Sequence, residues 1–113
     1  ERGAVIGIAF DVWMVVPGWE RGVTTHADKP DANLEALADH VDHYCQLLGS
    51  SANVGIGTDL DGGYGSEQTP AGLEFISDLR DFRAILERRG YGHDDLEGIF
   101  HKNFLHFLKM AWT

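Results

Sequence analysis

Cysteine is nearly missing from this chain. Cys45 stands alone among 113 residues, which excludes an internal disulfide and a zinc site built of cysteines. Positive charge is scarce too: 9 Lys and Arg face 18 Asp and Glu, for a net charge of −9. That balance argues against a nucleic-acid backbone as partner, since such binding needs clustered Lys and Arg. It argues equally against an anionic membrane surface. No run approaches the roughly 20 apolar residues of a membrane span. Several chemical signatures are absent as well. There is no H-E-x-x-H, no C-x-x-C and no G-x-S-x-G elbow. The glycines of NVGIGTDLDGG lack the G-K-[ST] ending of a phosphate loop, and no G-x-G-x-x-G opens a helix. The chain opens on Glu1 with no signal peptide in view, which fits a numbering that begins inside a longer protein.

Hydrophobic residues make up 43%, enough for a core and too many for a disordered chain. The length suits one domain. Gly3 to Phe10, GAVIGIAF, reads as a strand covered on both faces, the kind found in parallel sheets. A long connection from Asp11 to Pro30 follows, carrying Trp13, Trp19 and His26. The clearest helix runs from Asp31, as N-cap, to Leu48. Leu34, Leu37, Ala38, Val41, Tyr44, Cys45 and Leu48 form its apolar stripe, and Gly49 is its stop. Asn53 to Thr58, NVGIGT, is a second short strand. Tyr64 to Phe75 reads as loop. Ser77 is the expected cap of a helix through Leu79, Phe82 and Leu86 that stops at Gly90. A last helix spans about Asp94 to Ala111, with Leu96, Ile99, Phe100, Phe104, Phe107 and Leu108 on one side and Asn103 beside them. The spacing places Asn103 as a buried amide satisfied by backbone groups, or as a cap at a break.

Strand, loop, helix, strand, loop, helix, helix is βαβ order with right-handed crossovers. Two strands close no barrel, and three helices with long apolar stripes lack sheet to pack on. The expected fold class is therefore α/β: residues 1–113 as the C-terminal part of a (β/α)₈ barrel, with its last two strands and closing helices.

The sharpest chemical signal is Asp59-Leu60-Asp61-Gly62, directly after the second strand. In parallel α/β proteins functional side chains sit at the C-terminal ends of strands. A solvated turn is the plainer alternative, because Asp and Gly are common turn residues. His40 and His43 are spaced for metal ligation on one helix, yet the side of a barrel helix is far from the mouth, and they read as structural or surface residues. His26 reads as a solvated loop histidine, His93 as part of a helix start, and Cys45 as a core residue.

The run from His40 to Gly63, with DHVDH at Asp39–His43 and VGIGTDLDG at Val54–Gly62, resembles the closing part of the membrane (renal) dipeptidase family. These are the M19 peptidases among the amidohydrolase-like hydrolases. The ending ILERRGYGHDDLEGIFHKNFLHFL resembles the family's last two helices, with Asn103 at a characteristic Asn, although His101-Lys102 stands where the family often has Gly-Gly. GAVIGIAF resembles the preceding barrel strand.

The resemblance implies a distorted (β/α)₈ barrel holding two zinc ions that activate a water for dipeptide hydrolysis. The zinc ligands would lie outside these residues, so none is expected here. Asp59 is the one catalytic and substrate-binding position carried over: it would bond the bridging water or the substrate amine and move a proton to the leaving nitrogen. Asp61 would fix the loop instead, since two carboxylates aimed at one water repel each other. The expected partners are a small dipeptide, the rest of the barrel and, in some arrangements, a second copy as a homodimer. The alternative is a non-catalytic barrel relative that serves binding or assembly.

Overall fold

The computed structural model describes residues 2–60 and 62–113. Two short strands, β1 (Ile6–Ile8) and β2 (Val54–Ile56), pair in parallel with Ile6 opposite Val54, Gly7 opposite Gly55 and Ile8 opposite Ile56. Ladder-like bonds continue past them: Gly57 N donates to Ile8 O at 3.1 Å and Phe10 N to Thr58 O at 2.9 Å. The α/β class and the parallel pairing are as the apolar runs imply. The expectation that the first strand is covered on both faces holds only in part. Ile8, Phe10 and Val54 are buried in the main core, and the opposite face carries glycine. There the Phe104 ring lies over Gly55 where a side chain would stand and 3.3 Å from a Cβ built on Gly7, yet Gly7 stays exposed.

Between the strands lie α1 (Val12–Val15), a single turn inside the long connection, and α2 (Leu34–Leu48). Leu34, Leu37, Ala38 and Val41 of α2 are buried, as their spacing demands. Its cap is Asn33 and not Asp31. Asn33 has extended backbone and its Oδ1 accepts from Ala36 N at 3.1 Å, while Asp31 lies exposed in the turn before it. Gly49 ends the helix in the left-handed region at φ 70°.

After β2 a long loop leads to a 3₁₀ turn (Ile76–Asp78) and α3 (Leu79–Arg88). Ser77 is not the cap. Ser77 lies inside the 3₁₀ turn, and Asp78 Oδ2 reaches back to the N–H groups of Phe75 and Glu74, both at 2.9 Å, so the carboxylate secures the start of that turn while α3 has no side-chain cap. The last helical stretch comprises α4 (His93–Glu97), a π turn (Gly98–Lys102) and α5 (Asn103–Ala111). Phe10, Phe82, Leu86, Leu96 and Ile99 close one core with α2, and Phe10 meets Phe82 edge-on at 5.0 Å. A smaller cluster of Val12, Trp19 and Ala32 anchors the connection after β1.

Candidate active site at the strand ends

The two strands end side by side, and each is followed, after two intervening residues, by an aspartate. Asp59 is exposed and has φ 57°, the one non-glycine residue among those described in the left-handed region. Asp tolerates that conformation better than most residues but is strained by it. The turn enforces it. Gly62 N donates to Asp59 O at 3.0 Å, and a Cβ on Gly62 would stand 2.7 Å from Asp59 Oδ1. Only glycine leaves that carboxylate its place. The strand does not continue past Asp59, because the chain turns there. Asp61, expected to fix this loop, lies outside the described residues.

Asp11, after β1, is the counterpart, and it is buried. Its Oδ1 accepts from Trp13 N at 3.0 Å, capping α1, and from Gln68 Nε2 at 2.7 Å. Gln68 is buried as well, and its carbonyl accepts from Val12 N at 3.0 Å. The loop after β2 thus returns across the end of β1. Tyr64, on the same loop, donates its hydroxyl to Thr58 O at 3.2 Å. Burial first, then the charges of Asp11 and Asp59, push its phenol up to about 12. The group therefore stays a donor at neutral pH. His26 is no solvated loop residue: its Nε2–H donates to Thr69 O at 2.7 Å and its ring meets Trp19 edge-on. A cavity of about 250 Å³ borders this loop, lined by Leu60, Tyr64, Thr69, Leu73 and Phe75. Larger cavities of about 460 and 680 Å³ lie away from Asp59, beside Arg89 and Tyr91 and beside Asn103 and His106.

Asp59 is the candidate site residue that the sequence names. Asp11, Tyr64 and Gln68 were not found there. The strand-end rule would have found Asp11, since it follows its apolar run just as Asp59 does. Nothing local marks Gln68, which gains its role only by folding onto a residue far away in the chain.

The DHVDH segment is structural. Arg89 donates to Asp39 at 2.8 Å, Asp42 at 2.6 Å and Glu35 at 2.6 Å, and Tyr91 donates to Asp42 at 2.7 Å. Burial opposes the guanidinium's charge, but bonds to Glu35, Asp39 and Asp42 outweigh it and hold the pKa above its usual value. His40 bonds Val15 O at 3.3 Å and His43 is exposed, so the pair shares no ligand. Cys45 packs against the core, where burial, with a smaller contribution from the charges of Asp42 and Asp95, pushes its thiol up.

No three His, Cys, Asp or Glu side chains converge as a metal site among the described residues. The strand-end pair does not supply one either, because Asp11 Oδ1 is engaged by two N–H donors. These residues do not by themselves fit a zinc centre.

A family model for membrane dipeptidase, peptidase family M19, matches residues 1–112. The chain belongs to the membrane dipeptidase family. Dipeptidase 3 of Rattus norvegicus is 37% identical over 80 residues, 71% of this chain and 16% of that protein. Dipeptidase 3 of Homo sapiens is 32% identical over 80 residues, again 71% and 16%. An uncharacterized dipeptidase of Schizosaccharomyces pombe is 30% identical over 79 residues, 70% of this chain and 19% of that protein. The chain thus spans less than a fifth of the dipeptidases it matches. No helix among the described residues is long and apolar enough to cross a membrane.

Proposed function

We propose that residues 1–113 are the closing part of a (β/α)₈ dipeptidase barrel and that Asp59 is its proton-transfer residue. The observation that carries this is the placement of Asp59. It is an exposed carboxylate at the C-terminal end of a parallel strand, held in the left-handed region by a turn that needs Gly62. Backbone strain of that kind is spent where a side chain must be aimed.

In this reading Asp59 takes a proton from the attacking water at a carboxylate oxygen and returns it to the nitrogen of the broken amide. The carboxylate also faces the amine end of a dipeptide as its counter-charge. Tyr64 remains a protonated donor beside it. The two zinc ions that the family implies would rest on residues beyond this chain, so the chain supplies proton handling and substrate orientation. The remaining strands and helices of the barrel are its structural partner.

The test is Asp59→Asn in the full-length protein, assayed for dipeptide hydrolysis with zinc supplied. Asn is nearly isosteric and tolerates the left-handed region, but its amide cannot take up a proton at neutral pH. Turnover should fall by roughly 10²–10⁴-fold while folding and metal content hold. Near-parental turnover would remove Asp59 from the mechanism.

A further inference from the structure

We propose that Asp11 and Gln68 are positioning residues, whose buried hydrogen bond is a strut that holds the loop after β2 across the strand ends and so sets the direction of the Asp59 carboxylate. The proposal rests on the reading of Asp59 as the proton-transfer residue. Asp11 is 3% and Gln68 4% exposed, and they are the buried polar side chains among the described residues. Their bond of 2.7 Å joins positions 57 residues apart. Both groups that donate to Asp11 are neutral, Gln68 Nε2 and Trp13 N, so a carboxylate is kept out of water for hydrogen bonds alone. A well-packed apolar pair would fill such a place at less cost. What a polar pair adds is a defined geometry.

The loop needs such a constraint. Gly62, Gly63 and Gly65 give its backbone little stiffness of its own. Its near end is fixed at Thr58, whose carbonyl takes Phe10 N and the Tyr64 hydroxyl. Its far end is fixed at Gln68, by Asp11 on the side chain and Val12 on the backbone, and next door by His26 on Thr69 O. Asp59 lies between these fixed ends. Releasing the far end lets the turn that aims it relax.

The experiment uses the full-length protein with Gln68→Ala, Asp11→Asn and Asp59→Asn. It reads kcat and KM on a dipeptide and amide hydrogen exchange in residues 62–69. Gln68→Ala should speed exchange in that segment and lower kcat by roughly 10–10²-fold with a smaller change in KM, the size of loss expected for a misplaced group. Asp11→Asn keeps an oxygen that accepts both bonds, so its losses should be smaller than those of Gln68→Ala. In the Asp59→Asn background, Gln68→Ala should cost little further turnover, since no carboxylate is left to aim. Parental exchange and kcat in Gln68→Ala would overturn the strut, as would a full additive loss in the double variant. If Asp59→Asn alone keeps parental turnover, the catalytic reading fails, and unchanged exchange in Gln68→Ala then decides against the strut by itself. Should Gln68→Ala not fold, Gln68→Met keeps the side chain's length, lacks the donor and gives the same readouts.

Discussion

Gly98 and Asn103 fit together only because Gly98 has no side chain: a Cβ there would lie 2.9 Å from Asn103 Oδ1. The π turn between them brings the Asn103 amide onto the start of β2, where Nδ2 donates to Ser51 O in the loop before the strand and to Val54 O in the strand itself, both at 2.8 Å. One side chain so joins the last helix to the second strand. Asn103→Leu should lower stability by about 1–3 kcal/mol, because two backbone carbonyls lose their donor. Gly98→Ala should destabilise by the same route through the clash at Oδ1. Urea unfolding of the full-length protein reads both, as a lower midpoint at unchanged slope.

Arg89 gathers Glu35, Asp39 and Asp42 from one face of α2. Removing it leaves these carboxylates facing one another without a counter-charge. The acids are partly exposed, so solvent screens each pair, and Arg89→Met should cost only about 1–2 kcal/mol for the network as a whole. Arg89→Lys should recover part of that, since an ammonium lacks the planar fork. The gap between Arg89 and Met should narrow at high salt. Thermal melts at low and high ionic strength check both points.

Asp78 gives a pH dependence. The backbone N–H of Phe75, then that of Glu74, holds its carboxyl below the usual carboxylate range. The folded value is depressed, so the unfolded chain binds the proton more readily. The stabilisation is therefore present above the ordinary carboxylate value of about 4 and is lost as pH falls below it towards the folded value. Asp78→Ala should be less stable than the parent at pH 6, with the difference shrinking from about pH 4 downward. A difference that persists undiminished to pH 2 would show that the carboxylate's charge is not what secures the 3₁₀ turn before α3.

Periodicity made much of this fold readable. Leu34, Leu37, Ala38 and Val41 of the α2 stripe and Ile8, Phe10 and Val54 of the two apolar runs are buried as their spacing predicts, whereas Tyr44 and Cys45 are half-buried and Leu48, at the end of the stripe, is exposed. Caps were less legible. Asp31 and Ser77 are good cap residues in isolation, but Asn33 and Asp78 hold the positions from which an oxygen reaches free N–H groups. The last stripe holds only in its first half: Leu96 and Ile99 are buried and Phe100 packs on the core, but past the π turn Phe104 and Leu108 are half-buried and Phe107 is exposed. Asn103 is half-buried rather than buried, with its amide donors satisfied by backbone as the apolar surroundings imply. The Asp11–Gln68 bond had no local signal, because its partners meet only in the folded chain.

Gly62 offers a way to disturb Asp59 without touching its chemistry. A methyl group there would stand 2.7 Å from Asp59 Oδ1 and 2.8 Å from Asp59 O, and one of those atoms is backbone and cannot swing aside. The turn must open, breaking or lengthening the 3.0 Å bond from Gly62 N to Asp59 O. The carboxylate keeps its charge and its ability to take a proton but loses its direction. Gly62→Ala should therefore lower kcat by about 10²-fold in the full-length protein, comparable to a misplacement of about 1 Å. Global stability should change little, because Gly62 is exposed and touches no core residue. The assay is dipeptide hydrolysis beside a urea midpoint. Combining the change with Asp59→Asn separates the two explanations of any loss. If Gly62 acts through the carboxylate, the double variant turns over like Asp59→Asn alone. A further fall of about 10²-fold in the double variant would mean that Gly62 acts on substrate or fold by another route, and that the aim of Asp59 is not what its turn protects.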